Sequence, residues 1–487
     1  MTHEMTLLVA PLVPLIGAAL VGLTGRSPNL RETVSVVTGL VLLALVAPLA
    51  PAVMNGARPE ATVLEVLPGL PIAFALEPLG MVFALVASGL WIVTTLYAIG
   101  YMRAHDEPSQ TRFYVCFALA ISASVGIAFA ANLFTLFIFY EALTLSTYPL
   151  VTHSRTAEAM RSGRVYLGVL LTTSISFLLL AVIWTWFLTG TLDFTPGGIL
   201  AGKAGPMTIG ILLALFAFGT GKAALMPFHK WLPAAMVAPT PVSALLHAVA
   251  VVKAGVFTVM KVIVYIFGLD LLTETGANEW LIYVSSGTIV LASLIAMTKD
   301  NLKARLAYST ISQLSYIVLG AALATQAAMI GGSMHIAMHA FGKITLFFCA
   351  GAIYVATHKK NISDMEGLGR AMPLTFAAFF IGSLSVIGLP PLGGMWSKWF
   401  LVLGAADAGR MIPIVVLMVS SLLNVAYLLP IPLRAFFRAP KGLAAGETLK
   451  YAEAPAFCLV PLCVTALGCV VLFFYADTIY RLLEGMG

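Results

Sequence analysis

The sequence predicts an all-α, polytopic membrane protein of about 14 transmembrane helices, and three observations carry that prediction. Of its 487 residues, 60% are apolar and only 10% are charged, and the mean hydropathy is +0.98, outside the range of water-soluble globular chains. Apolar windows of about 20 residues, the length that crosses a bilayer's hydrocarbon core, recur from one end of the chain to the other with charged or Gly/Pro-rich breaks between them. Lysine and arginine fall mostly in alternate breaks, as the positive-inside bias requires of a chain threaded back and forth.

The windows lie at about 5–24, 32–54, 76–100, 112–130, 132–152, 164–188, 207–227, 241–268, 280–298, 304–323, 329–357, 372–403, 412–433 and 455–476. Together they make a single transmembrane domain over 1–487, with no soluble domain, low-complexity tract or long polar linker. With the N-terminus outside, 18 of the 27 basic residues, from Arg26 and Arg31 through Lys299 and Lys303 to Lys441 and Lys450, occupy cytoplasmic loops. The external loops hold only Arg58, Lys203, Arg410 and Arg481, so both termini are expected outside. The net charge of +6 therefore reflects topology and is no sign of nucleic-acid binding. The opening MTHEM lacks the basic n-region of a cleavable signal peptide, so the first hydrophobic segment is read as a retained helix.

Chemistry-bearing motifs are few. Cys116, Cys349, Cys458, Cys463 and Cys469 lie in apolar spans without metal-type spacing and are expected to serve packing. Nucleotide-binding glycine loops, cysteine clusters for iron–sulfur centres and flavin motifs are missing. No cofactor is expected, and any redox or ATP chemistry is assigned to a partner.

Charges within the spans are the informative residues. They are Lys222, Lys253, Lys261, Lys343 and Lys398, with Glu141 in FIFYEALTL read as the one deep acid. Each such side chain at a helix centre costs on the order of 2.5–3.5 kcal/mol even on a lenient insertion scale, so the set has to be neutralised, paired or hydrated. Glu141 lies about nine residues into its span, roughly 14 Å at 1.5 Å per residue, and Lys253 is equally central. Lys261 lies two turns nearer the outer surface, where snorkelling and a relay role are both open. In HIAMHAFGK, His335, His339 and Lys343 follow one another at i, i+4 and i+8 on one helix face, and His247 precedes Lys253 by a turn and a half. Two histidines four apart could hold a metal, but no carboxylate or cysteine stands nearby to complete a site, so no metal is expected. A hydrated proton-conducting stripe is favoured, because imidazole both gives and accepts protons near neutral pH.

Two spans are interrupted. In LPPLGGMWSKWFL, Pro390 and Pro391 remove backbone donors and Gly393 and Gly394 loosen the helix one turn before Lys398. In GTGKAALMPFHKWLPAAMVAPTP, Gly219, Gly221, Pro227 and Pro233 do the same around Lys222. Irregular backbone survives at membrane depth only inside protein or beside a water-filled cavity. Spans 4–8 and 9–13 then form two repeats, about 112–268 and 280–433, flanked by helices within 1–100 and 455–476. Discontinuous helices 7 and 12 are each fourth in their unit, and because five helices is an odd number the second copy is inverted.

The stretches FYEALTLSTYPL, GKAALMPFHKWLP, APTPVSALLHAVAVVKAG, LKARLAYSTISQLSYIVLG, HIAMHAFGKITLFFCAGA and GLPPLGGMWSKWFL, in that order over roughly 100–430, resemble the antiporter-like membrane subunits of respiratory complex I, Mrp-type multisubunit cation/proton antiporters and membrane-bound hydrogenases. The resemblance implies a 14-helix subunit with a hydrated mid-membrane axis, in the inner (cell) membrane of bacterial type. By motif position it makes Glu141, Lys222, Lys253 and Lys398 the proton relay and His247, His335, His339 and Lys343 its supporting groups. Desolvation disfavours a buried ammonium and a nearby anion restores it, so Lys222 is expected to hold its proton while facing Glu141 and release it when that pair opens. The SALLHAVAVVKAGVF segment and compact size are most similar to the smaller D-type Mrp subunit. That implies a proton-translocating subunit, itself not an enzyme, of a monovalent cation (Na+)/proton antiporter, with other integral membrane subunits as partners. The alternatives are a proton-pumping subunit of complex I or of a related hydrogenase, a scaffold without transport, or a metabolite carrier. After HKWLP many relatives continue with Asp-Ala-His, whereas Ala234, Ala235 and Met236 follow here, which leaves the inner proton route without that polar contact.

Overall fold

The computed structural model describes residues 1–440 and 451–486; Lys441 and Lys450, counted above with the cytoplasmic loops, lie outside the described residues. The chain is an all-α polytopic membrane protein. Its long helices are α1 (His3–Leu23), α2 (Pro28–Met54), α3 (Pro78–Ala104), α4 (Gln110–Phe129), α5 (Leu133–Val151) and α6 (Ala157–Thr189). After them come α7 (Pro206–Gly219), α8 (Thr240–Phe267), α9 (Glu279–Thr298), α10 (Leu302–Ala322) and α11 (Gln326–Thr357). The series closes with α12 (Pro373–Ile387), α13 (Gly394–Asp407), α14 (Met411–Phe437), α15 (Ala456–Phe474) and the short α16 (Ala476–Glu484).

Among the described residues, 11 of these helices are long and apolar enough to cross a membrane by themselves. Every predicted window overlaps a helix, but three fall outside that set. α10 carries Lys303 and Arg305 in its first turn, and α7 and α12, at 14 and 15 residues, are half-helices. The predicted span 207–227 is thus corrected: the helix stops at Gly219, eight residues before Pro227, and the break starts beside Lys222 itself.

The two breaks survive because their backbone groups are satisfied by side chains or neighbouring helices. After α7, Gly221–Ala223 make one 3₁₀ turn and Ala224 takes a left-handed conformation at φ +54°. Tyr140 Oη accepts the Lys222 amide at 3.1 Å, and Trp231 Nε1 donates to the Gly221 carbonyl at 2.9 Å. After α12, Gly388 turns left-handed at φ +90°, and residues through Gly393, including Pro390 and Pro391, run without regular helix to α13. The Gly393 amide is taken by the Cys469 carbonyl of α15 at 2.9 Å. Lys398 Nζ donates to the Ile387 carbonyl at 2.9 Å, so an ammonium caps the negative end of a half-helix dipole.

α8 and α11 form the interior: nearly all of their residues are buried, whereas α1, α2 and α14 each expose an apolar stripe such as Leu12, Ile16 and Leu20 on α1. The basic loops gather on one face, where Arg103 pairs with Glu32 and Arg112 donates to the His153 carbonyl at 2.9 Å. The opposite face carries an antiparallel hairpin, β1 (Glu60–Leu67) and β2 (Leu70–Ala75), turned at Pro68 and Gly69, with Gly69 at φ +78°. Arg58 reaches the Gly485 carbonyl on that same face at 2.6 Å.

A Cβ on Gly394 would lie 1.9 Å from the Ser385 carbonyl oxygen, so the two halves of the second broken span meet backbone to backbone. Gly394→Ala is expected to cost about 1–3 kcal/mol through overpacking, measured as an earlier thermal transition of the purified protein in detergent. An unchanged transition would mean that α12 and α13 are not held this closely.

Candidate functional site: a buried lysine and histidine axis

The first half of the site is set by helix rotation. Positions 140 and 144 of α5 share a face, and position 141 is turned about 100° away. The face that meets the first break is therefore Tyr140 and Thr144. Lys222 Nζ donates to the Tyr140 carbonyl at 2.8 Å and to Thr144 Oγ1 at 2.6 Å, and sits 3.2 Å from the centroid of the Tyr140 ring. The expected Glu141–Lys222 pair is not formed. Both carboxylate oxygens of Glu141 are buried without a hydrogen-bond partner, beside the exposed Leu145 on the outer stripe of α5.

A second buried acid stands at a span's edge, away from the axis. Glu77, at the start of α3, is 7% exposed and stands 2.8 Å from Lys261 Nζ, which also donates to the Ala130 carbonyl at 2.7 Å. Lys261 therefore does not snorkel; it is held in a buried ion pair near the hairpin face.

Gly255 lets α8 pack directly on the first break, since a Cβ there would lie 2.3 Å from the Lys222 carbonyl carbon. Two residues earlier on the same helix, and turned to another face, Lys253 Nζ meets His339 Nδ1 at 2.6 Å. With Nδ1 accepting, the His339 proton sits on Nε2, which is buried and has no protein partner. The His339 and His335 rings stack at 5.6 Å between centroids, which is what their i, i+4 spacing on α11 dictates. His335 Nε2 donates to Gln313 Oε1 at 3.1 Å, leaving Nδ1 to accept from Ser397 Oγ at 2.8 Å. Ser397 precedes Lys398, whose Nζ donates to Ser421 Oγ at 3.1 Å and lies 4.9 Å from the Tyr316 ring centroid.

Two predicted groups stand beside this file. Lys343 Nζ donates to Ser309 Oγ at 2.6 Å, and Tyr427 Oη donates to the same hydroxyl at 2.9 Å. His247 is fully buried against Phe347, with ring centroids 4.7 Å apart, and neither of its nitrogens has a protein partner. Lys222, Lys253 and Lys343 have no exposure and Lys398 has 8%. The ring nitrogens of His335 and Nδ1 of His339 are engaged by Gln313, Ser397 and Lys253, so the pair is not arranged as a metal clamp. Among the described residues no cluster of three or more His, Cys, Asp or Glu is placed to hold a metal ion.

Sequence reasoning missed the neutral partners: Tyr140, Thr144, Gln313, Tyr316, Ser397 and Ser421. A signal existed for α10, where Ser309, Gln313 and Tyr316 recur at i, i+4 and i+7 in an otherwise apolar span. No spacing rule pointed to Ser397.

A file of ammonium and imidazole groups running between two broken helices defines a multi-pass membrane protein with an internal polar axis. The comparisons with known proteins give its kinship. A family model described as "NADH:quinone oxidoreductase/Mrp antiporter, TM" matches residues 130–424, and one described as "NADH-Ubiquinone oxidoreductase (complex I), chain 5 N-terminus" matches residues 69–114. The chain is 32% identical over 424 residues to the NADH-quinone oxidoreductase subunit N of Desulforudis audaxviator, covering 84% of this chain and 83% of that one. It is 32% identical over 354 residues to the NAD(P)H-quinone oxidoreductase chain 5 of Synechocystis sp., covering 68% of this chain and 49% of the relative, so it spans about half the length of its chain 5 relatives.

Among solved structures, a chain of the Mrp complex from Dietzia sp. DQ12-45-1b matches with a TM-score of 0.89 over 100% of this chain and 97% of that one, at 23% identity, which shows a shared fold. A chain of the membrane-bound sulfane sulfur reductase, an archaeal respiratory membrane complex, matches with a TM-score of 0.86 over 98% and 96% at 25% identity. The protein belongs to the NADH:quinone oxidoreductase/Mrp antiporter family of transmembrane subunits.

Ser397→Ala removes the hydroxyl between His335 and the helix of Lys398. One buried hydrogen bond of about 1.4 kcal/mol corresponds to tenfold in rate. A fall of that order in proton flux through the assembled complex is expected, with Ser397→Thr close to the parent. Undiminished flux in Ser397→Ala would show that His335 does not hand over to Lys398 through this hydroxyl.

Proposed function

We propose that this chain is the proton-translocating subunit of a multisubunit monovalent cation (Na+)/proton antiporter of Mrp type, with the basic face cytoplasmic and both termini outside. The observation that carries the reading is the run of contacts from Lys253 through His339 and the stacked His335 to Ser397, the neighbour of Lys398, with Lys222, held by Tyr140 and Thr144, at the adjoining break. Residues 112–268 and 280–433 act as two inverted units, each contributing one broken helix and its lysine.

The chemistry follows from the partners. Lys222, Lys253, Lys343 and Lys398 are met by hydroxyls, carbonyls and imidazole. A hydroxyl or imidazole can donate to a neutral amine as readily as it accepts from an ammonium, so Lys253–His339, Lys343–Ser309 and Lys398–Ser421 tolerate either protonation state. A proton leaving Lys222 passes through water to Lys253, then along the stacked imidazoles and Ser397 to Lys398. Glu141 acts on Lys222 across the α5 backbone as a nearby charge, not as a hydrogen-bonded partner. Carrying one charge across 100 mV is worth about 2.3 kcal/mol, within reach of a relay whose single pKa unit is about 1.4 kcal/mol.

Sodium wants several hard oxygen ligands. The axis offers a single partnerless carboxylate, that of Glu141, on the outer stripe of α5, so the cation route is assigned to an interface with partner subunits. A second reading, a proton-pumping subunit of a quinone-reducing complex, is favoured by the names of the curated relatives. Under it the axis works identically and a partner's redox reaction drives it.

Lys398→Arg keeps the charge but cannot release its proton at accessible pH. It is expected to reduce proton translocation by at least tenfold, nearly as much as Lys398→Ala, in vesicles with matched protein levels; normal flux in Lys398→Arg would make the lysine an electrostatic fixture and sink the relay. Liposomes holding the purified chain alone, with an imposed sodium gradient and an internal pH dye, are expected to show no exchange until the membrane partners are added. Robust sodium-driven proton movement by the chain alone would overturn the interface assignment.

A further inference from the structure

The basic face opens into a cavity of about 520 Å³ that lies outside the lysine axis. Its walls come from the loop after α3, the start of α6, the segment between Pro233 and Thr240, the start of α10 and the end of α11. Where the first broken span passes, the wall is Ala234 and Met236, neither of which titrates. The carboxylates are Glu107 and Glu158, faced by Lys303, Lys359 and Lys360, and the hydroxyls nearest the spans are Tyr101 and Thr240.

We infer that this cavity is the aqueous mouth through which protons from the basic face reach His247, and that Glu107 is the group that collects them. The inference rests on the proton-translocating reading above. Thr240, on the cavity wall, begins α8, and His247 lies seven residues further along the same helix, roughly 10 Å at 1.5 Å per residue. Lys303, on the cavity wall, also holds this segment: its Nζ donates to the Ala238 carbonyl at 2.6 Å, two residues before Thr240. His247 is fully buried with both nitrogens lacking a protein partner, as befits a group that takes its proton from water.

Glu107 stands apart from the other acid at the mouth. Burial raises its pKa above the ordinary carboxylate value, and His105 on its own loop opposes the rise. From the loop after α5, His153 Nε2 lies 3.9 Å from the Glu107 carboxylate. Burial and the Arg112 charge push the His153 pKa down to about 4, so near neutral pH that contact is with a neutral ring and does not hold Glu107 ionised. Glu107 therefore exchanges protons closer to neutrality than a free carboxylate. Across the cavity it faces Glu158 from α6, Lys303 from α10 and Lys359 and Lys360 from the end of α11. Above its raised pKa it is ionised and can capture a proton; below it, the group is already loaded.

The test uses the assembled complex in inside-out vesicles. Loss of a proton collector starves uptake first where protons are scarce, so Glu107→Gln is expected to move the alkaline limb of the activity profile about one unit toward lower pH, tenfold in proton activity, with the maximal rate kept and Glu107→Asp restoring the parent profile. Met236→Cys is expected to react with a membrane-impermeant thiol reagent added from the basic face, above the labelling of the native cysteines in the parent. A Glu107→Gln profile that overlays the parent, or a Met236→Cys that stays unlabelled, overturns the inference. If Glu107→Gln does not assemble, Glu107→Asp and the labelling arm decide it. Lys398→Arg, run alongside, separates the failures: if it is inactive while Glu107→Gln is normal, only the cavity assignment falls, and if it is fully active the relay itself falls.

Discussion

The contact on which the rest of the site depends is Lys253 Nζ against His339 Nδ1 at 2.6 Å, between buried stretches of α8 and α11. A lone ammonium at membrane depth costs on the order of 2.5–3.5 kcal/mol, and an ion pair is the usual way to offset that. The partner here is neutral, so the contact persists whether the proton sits on the amine or elsewhere. The same holds for Lys343 at Ser309 and Lys398 at Ser421. Where the chain does use a carboxylate, at Glu77 and Lys261, the two charges lock each other, and that pair lies off the axis near the hairpin face.

The surrounding fold can be understood as the support this arrangement needs. At the two breaks Lys222, in the 3₁₀ turn after α7, donates to the Tyr140 carbonyl within α5, and Lys398, one turn into α13, donates to the Ile387 carbonyl at the free C-terminal end of α12. Trp231, Tyr140 and Cys469 then satisfy the backbone that the breaks set free. Gly255 and Gly394 let backbones touch at the two breaks, and any side chain at either position would force them apart.

Much of this was legible in the residues themselves. Lysines in apolar windows stand out because insertion is costly, and paired Pro and Gly residues stand out because regular helix excludes them, so the axis residues and both breaks were visible. That Tyr140 and Thr144, and not Glu141, meet Lys222 in this structure was not legible, because position in the sequence gives depth but not which face of α5 turns toward the break. Glu77 was overlooked because it sits at a span's edge, where an acid costs little, and only tertiary packing buries it against Lys261. Residues 60–75 escaped because a short apolar run with a Pro-Gly turn between long hydrophobic windows does not separate strand from loop by periodicity alone. Ser397 and Gln313 are ordinary residues in membrane helices until the stacked imidazoles are placed between them.

The central claim is that protons cross by a continuous file, with water joining the groups whose polar atoms have no protein partner. The most direct measurement is a cryo-electron microscopy map of the assembled complex at a resolution that shows ordered water. The account predicts density bridging Lys222 Nζ to Lys253 and water on His339 Nε2 and on the His247 ring. A well-resolved interior in which apolar side chains close the space between Lys222 and Lys253, with no water on either histidine, would contradict it.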